Sequence, residues 1–313
     1  MSPKSRARRS SSNPPWAVAL FAILAIGAVT LTVAAVAHSR RDPPLSAAPP
    51  ATLEPVETST PTPTPTVPVE TLPPDPTLPP LARANERFLL INDLGTMWRA
   101  IAGSCVTGEP PVVERSTDGV TWIDVTPRYL GITQIVGLMP FEPGEAELIA
   151  TLGSGCAVQG LRTYTQGEFW DVYPEVLDGA SYLAPGELTV LVNAAGAPSA
   201  PCDGATSLSV DGTTAALICG TTPYVWSGEV VPQWIEVPAH AARAAHVDSG
   251  VLTLAGATVD CVGMAISAGP VAGASAAQSR CLVDLDPASA ATLAADPRGG
   301  VVLWAGETLA RIE

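Results

Sequence analysis

His246, Asp248 and Ser249 lie within four residues of one another and are the residue types of a nucleophilic triad. A triad draws its side chains from separate elements, so nearness along the chain carries no weight. Asp248-Ser249-Gly250, in front of the apolar run at Val251, reads as a turn. Tyr164 and Tyr173 lie near acidic residues, but short strands of this kind place such tyrosines on a surface. The pairs Asp203-Gly, Asp211-Gly and Asp284-x-Asp286 supply too few carboxylates per loop to hold calcium and read as turns. No glycine-rich phosphate loop, HExxH or GxSxG is present. The expectation is no catalytic residue, no cofactor and no metal.

The cysteines carry a stronger signal. Cys105, Cys156, Cys202, Cys219, Cys261 and Cys281 all follow the first hundred residues. No CxxC or CxH spacing is found, and only His240 and His246 accompany them, so a zinc site is the weaker alternative. An even set in an exported chain reads as three disulfides.

Those cysteines recur within a larger pattern. Trp122-Ile-Asp-Val-Thr-Pro127, Trp170-Asp-Val-Tyr-Pro174 and Trp234-Ile-Glu-Val-Pro238 share a tryptophan, an acid, a valine and a closing proline. Before each lies a turn, at Asp118-Gly119, Gln166-Gly167 and Ser227-Gly228. Before each turn lies a short strand: Val112 to Arg115, Leu161 to Thr165 and Tyr224 to Trp226. A cysteine precedes each strand: Cys105, Cys156 and Cys219. Units of four short strands recurring every ~40–50 residues point to propeller blades. Five to seven blades are expected, with an extra hairpin at Ser181 to Ala194 and copies near Val251 and Val301 that lack the tryptophan strand. An irregular β-sandwich is the alternative. The repeat suggests pairing Cys105 with Cys156, Cys202 with Cys219 and Cys261 with Cys281.

Ser116-Thr-Asp118-Gly119-Val-Thr121-Trp122 resembles the Asp-box of BNR and sialidase-type propellers, written Ser-x-Asp-x-Gly-x-Thr-Trp, with one residue fewer. The resemblance implies a hairpin whose aspartate accepts backbone amides, whose glycine takes positive φ and whose tryptophan packs between sheets. It covers seven residues. Photosystem-assembly-factor-like propellers share the box and are not enzymes. The sialidase branch implies three arginines gripping a carboxylate, a Tyr–Glu pair and an Asp acid, and no motif here assembles them.

The elements that position this domain are plain in the composition. Trp16 to Ala37 is twenty-two residues without a charge, enough to span a bilayer core of ~30 Å. Lys4, Arg6, Arg8, Arg9, Arg40 and Arg41 flank it, which predicts a cytoplasmic N-terminus. A cleaved signal peptide ending at Ala35-Val-Ala37 is the alternative. Fourteen prolines between Asp42 and Leu81 exclude helix and sheet, predicting a semi-rigid stalk of polyproline II. Beyond Arg41 the thirty acidic residues stand beside ten arginines and no lysine, a formal charge of −20. Such a surface repels nucleic acid.

The domain expectation is therefore a basic cytoplasmic tail (1–15), one transmembrane helix (16–38), a Pro/Thr-rich disordered linker (39–84) and an extracellular all-β propeller-like domain (85–313). The chain is expected at the cell membrane as a single-pass protein whose partner is the lipid bilayer, with an envelope protein or glycan bound outside. A non-enzymatic binding or assembly module is the first functional expectation. An exported, sialidase-like glycoside hydrolase is the second. The oligomeric state leaves no mark in the sequence.

Overall fold

The computed structural model describes residues 78–185, 190–192, 199–228, 231–238, 241–271 and 278–312. Two compact units divide the chain, Met1–Pro68 and Val69–Glu313. The expected anchor, residues 16–38, and nearly all of the expected stalk lie outside the described residues. Among the described residues no helix is long and apolar enough to cross a membrane.

The domain is an all-β propeller of five blades, each an antiparallel meander. Blade 1 is β1 (Arg87–Ile91), β2 (Met97–Ile101), β3 (Val112–Ser116) and β4 (Ile123–Asp124); blade 2 is β5 (Ile132–Pro140), β6 (Ala146–Leu152), β7 (Ala157–Thr163) and β8 (Trp170–Val172). A two-stranded hairpin, β9 (Ser181–Leu183) and β10 (Val190–Val192), follows blade 2 where an extra hairpin is expected. Blade 3 is β11 (Thr206–Asp211), β12 (Thr214–Cys219), β13 (Thr222–Ser227) and β14 (Val231–Glu236). Blade 4 is β15 (Ala242–Asp248), β16 (Val251–Thr258), β17 (Cys261–Pro270) and β18 (Gln278–Leu282); blade 5 is β19 (Ala291–Ala295), β20 (Val301–Ala305) and β21 (Thr308–Ile312). The copy at Val251 keeps a fourth strand, β18, built without tryptophan; in the copy at Val301 three strands are described.

The texture of the sequence follows from this stacking. Each blade is covered on both faces by its neighbours, so middle strands bury successive residues instead of alternate ones. In β6 Leu148, Ile149 and Ala150 are all fully buried. One face joins Trp98, Val113 and Ile135 between blades 1 and 2; the other joins Val176 and Tyr182 beside the hairpin. Blades converge at the axis, which favours small side chains in first strands: Ala242, Ala244 and Ala245 in β15 and Ala291, Ala294 and Ala295 in β19. Gly160 in β7 marks a close approach, since a Cβ there would meet Val176 Cβ at 2.5 Å.

First strands touch around the ring in order, with β9 between β5 and β11, and β1 beside β19 closes it. The closing interface holds an alternating stack of rings and guanidinium groups. Arg99 lies 4.0 Å from the Trp122 ring and 5.0 Å from that of Trp304, and Arg87 lies 4.2 Å from the far ring. Glu114 anchors Arg99 at 2.7 Å.

The bridges join Cys105 to Cys156, Cys202 to Cys219 and Cys261 to Cys281, the pairs suggested by the repeat. The first links blades 1 and 2 through their second-to-third strand connections. The second ties the segment entering β11 to the end of β12, and the third staples β17 to β18 within blade 4.

Candidate ligand channel and the turn motif

A channel of about 510 Å³ runs along the axis between the first strands. Its lining residues include apolar ones such as Phe88, Leu138 and Leu208 and the hydroxyl-bearing Ser181, Ser207, Ser209 and Thr292. Among the described lining residues Glu86, Arg87 and His246 carry the titratable side chains.

Glu86 precedes β1 and is 3% exposed. Its carboxylate accepts the Ser207 N–H at 2.8 Å and lies 3.6 Å from the Arg83 guanidinium. Burial pushes its carboxyl above the usual range, while Arg83 and the Ser207 amide pull the other way. Ser207 sits at φ 55°, within the irregularity of β11 between Thr206 and Ser209. That irregularity aims two hydroxyls at blade 4, where Ser207 Oγ accepts the Ala245 N–H at 2.9 Å and Ser209 Oγ accepts that of Val247 at 3.0 Å.

His246 Nδ1 lies 3.3 Å from Ser209 Oγ. Which of the two atoms donates follows the imidazole tautomer, since a serine hydroxyl that accepts the Val247 amide keeps a second acceptor site. Nε2 is buried and has no partner among the described residues. Burial holds this histidine below its ordinary pKa against the opposing pull of Asp248 and Asp211, so the neutral ring is the one presented. Among the described lining residues two buried side-chain nitrogens thus lack a partner, Nε2 of His246 and Nε of Arg87.

The Ser116–Trp122 segment forms the tight turn between β3 and β4. Ser116 Oγ accepts the Gly119 N–H at 2.9 Å, and Asp118 Oδ1 accepts those of Val120 and Thr121 at 2.8 and 2.7 Å. Gly119 takes φ 75°. The Thr121 and Val120 amides and the Ser116 hydroxyl lower the Asp118 carboxyl to about 2. An unfolded aspartate titrates near ~3.9, so the stability this turn contributes is complete above about pH 4 and is lost as pH falls toward 2. Asp118→Asn is expected to lower the melting temperature at pH 7 and to flatten its acid-side fall; an unchanged acid limb in thermal scans would contradict the turn's role. In blade 2 a hydroxyl again meets the turn glycine, one residue further on: Thr163 Oγ1 accepts the Gly167 N–H at 2.9 Å.

The three tryptophans occupy corresponding places in chain order. Trp170 begins β8, Trp234 lies within β14, and Trp122 immediately precedes β4. Their surroundings differ. Trp170 is 3% exposed, donates Nε1–H to Val125 O at 3.0 Å and meets Trp98 edge-on at 5.8 Å. Trp234 donates to Ser199 O at 3.0 Å. Trp122 lies against Arg99. None of the three is among the residues that line the channel.

The sequence by itself does not point to Glu86, Ser207 or Ser209, and sets His246 aside as a triad fragment in front of the turn at Asp248-Ser249-Gly250. No motif marks these residues, because Glu86 and Ser207 lie 121 positions apart and Ser209 and His246 lie 37 apart. Tyr164 and Tyr173 lie on the outer part of blade 2, where their rings pack at 5.9 Å and Arg162 covers Tyr173 at 4.9 Å.

The sequence matches no protein family and no curated relative. Among solved structures the fold is similar to CoXyl43, a GH43 β-xylosidase/α-arabinofuranosidase from a compost microbial metagenome. Identity is 9% and the TM-score 0.36, over 74% of this chain and 88% of that one. It is also similar to an arginine-substituted mutant of AofleA from Arthrobotrys oligospora, with 12% identity and a TM-score of 0.33, over 71% of this chain and 67% of that one. Likenesses at this level carry no chemistry across.

Proposed function

We propose that this chain is a membrane-anchored, extracytoplasmic propeller that binds the end of a neutral glycan in its axial channel without cleaving it. Trp16–Ala37 is its anchor, the proline-rich segment its spacer, and the N-terminus is cytoplasmic. The supporting observation is the channel chemistry: residues with hydroxyl and apolar side chains, and buried nitrogens of His246 and Arg87 without a partner among the described residues, together suit the hydroxyls of a neutral sugar. The −20 charge outside the anchor opposes an anionic glycan, which narrows the ligand to a neutral one.

Glycoside hydrolysis requires two carboxyl groups flanking the scissile bond. Among the described residues lining the channel Glu86 is the one carboxylate, and it is committed to the Ser207 amide and Arg83. A hydrolase is the second reading, favoured by the raised Glu86 carboxyl, which suits a general acid.

Titrating the full chain in nanodiscs with neutral oligosaccharides separates the two. Binding without release of sugar, weakened about tenfold or more by His246→Ala, is the expected result. Turnover abolished by Glu86→Gln would establish the hydrolase instead, and binding indifferent to His246 would remove the channel from the account.

A further inference from the structure

Blades 5 and 1 build their first hairpins on one template and differ at the residue that opens the turn. In blade 5 Ala294 pairs with Val302 and Val302 with Arg311. In blade 1 Leu90 pairs with Trp98 and Trp98 with Arg115. The turns have equal length: the Asn92 N–H reaches Thr96 O at 3.0 Å, and the Asp296 N–H reaches Gly300 O at 3.0 Å. Asn92, Trp98 and Arg115 therefore stand where Asp296, Val302 and Arg311 stand. Cross-strand partners and residues two apart along a strand share one face of a sheet.

The two turn-opening side chains use one atom alike and the other differently. Asp296 Oδ1 accepts the Arg298 N–H at 3.0 Å, and Oδ2 accepts from Arg311 Nη1 at 2.9 Å. Asn92 Oδ1 accepts the N–H groups of Leu94 and Thr96 at 3.1 and 2.9 Å, which fixes the orientation of its amide. Nδ2 is then left in the place of Oδ2, a donor where blade 5 has an acceptor. Arg115 loses the carboxylate that holds its counterpart.

Three buried donors on this face have no partner among the described residues: Asn92 Nδ2, Trp98 Nε1 and Arg115 Nε. Asn92 is 6% exposed, Trp98 is wholly buried, and the Arg115 guanidinium lies 5.9 Å from the Trp98 ring. Leaving such donors dry is costly. A water molecule has hydrogens of its own to place, and a site made of donors gives them no acceptor. An anion accepts from every donor and offsets the guanidinium charge. Exchanging carboxylate for amide leaves one unit of positive charge, and the −20 of the domain repels ions of higher charge. The fitting ion is small and monovalent.

We propose that blade 1 binds chloride on the face turned toward blade 2, held by Asn92 Nδ2 and the Arg115 guanidinium beside the Trp98 indole. The ion takes the place that the Asp296 carboxylate fills in blade 5. That face packs on blade 2 through Trp98, which meets Trp170 edge-on. The site is separate from the channel, whose lining includes none of its three residues. Its occupancy ties the stability of the seam between blades 1 and 2 to the chloride concentration around the domain.

Thermal unfolding of the full chain in nanodiscs, followed by tryptophan fluorescence, tests this when chloride replaces gluconate at fixed ionic strength. Raising chloride from about 1 to about 100 mM is expected to raise Tm by about 3 °C. Asn92→Asp supplies the carboxylate of blade 5 and should flatten that response. Arg115→Met removes the cation and should flatten it too. A parent Tm indifferent to chloride overturns the proposal. So does a response of parental size in either variant, because the anion would then act elsewhere.

Discussion

Trp304→Ala is expected to destabilise the propeller by about 3–5 kcal/mol, the range for removing a buried large aromatic side chain. Trp304 is 3% exposed on β20, at the interface where blade 5 meets blade 1. Its ring lies between the guanidinium groups of Arg87 and Arg99, so truncation loses apolar burial and two cation–π contacts together. The cost is large because this interface closes the ring: no loop crosses from β21 to β1 as loops cross between successive blades. Arg87 also donates to Gly306 O, and its partly buried guanidinium is held below its ordinary pKa mainly by desolvation, so losing the ring leaves a poorly solvated cation. Trp304→Phe keeps a π face and should recover part of the loss. Denaturant titrations followed by circular dichroism measure both; a Trp304→Ala variant within about 1 kcal/mol of the parent would mean that the stack is ornamental.

Removing the inter-blade bridge with Cys105→Ser/Cys156→Ser is expected to cost about 4 kcal/mol by loop-closure entropy. It spans 51 residues, against 17 for Cys202–Cys219 and 20 for Cys261–Cys281. The same treatment puts each of the shorter bridges near ~3 kcal/mol, which makes the ranking the sharper test. Three paired Cys→Ser variants compared in urea should therefore show the 105–156 pair as the most damaging. A larger loss at 202–219 would mean that local strain relief, not restriction of the unfolded chain, governs these bridges. The dependence also links fold to compartment, since the bridges persist only where thiols are oxidised.

Much of the blade architecture is legible in the sequence because it is written locally. Asp118-Gly119 requires a tight turn, the Trp…Pro segments mark outer strands, and the spacing of Cys105 and Cys156 within successive units places them at equivalent connections. These signals depend on neighbours a few residues away, and the turn chemistry that produces them acts on the isolated segment. The fourth strand of blade 4 carries no such local mark, because β18 is Gln-Ser-Arg-Cys-Leu, without tryptophan or closing proline.

The channel was not legible. Glu86 reads as one acid among thirty, and its burial arises because the start of β1 meets Ser207 of β11, 121 positions away. The same holds for the closing stack, in which Arg87 meets a ring 217 positions later. His246 reads in the sequence as a triad fragment beside a turn; the bulge in β11 brings Ser209 to its Nδ1 and places it in the channel lining.

Composition and spacing alone thus determined an all-β repeat, the cysteine partners and the segregation of basic from acidic residues, since each depends on a period or a count. Which side chains surround the axis, and which of them keep an unspent hydrogen bond, were decided only when five sheets closed on one another. Closure brings together residues whose separation along the chain has no period, and burial then removes the water that would have satisfied them.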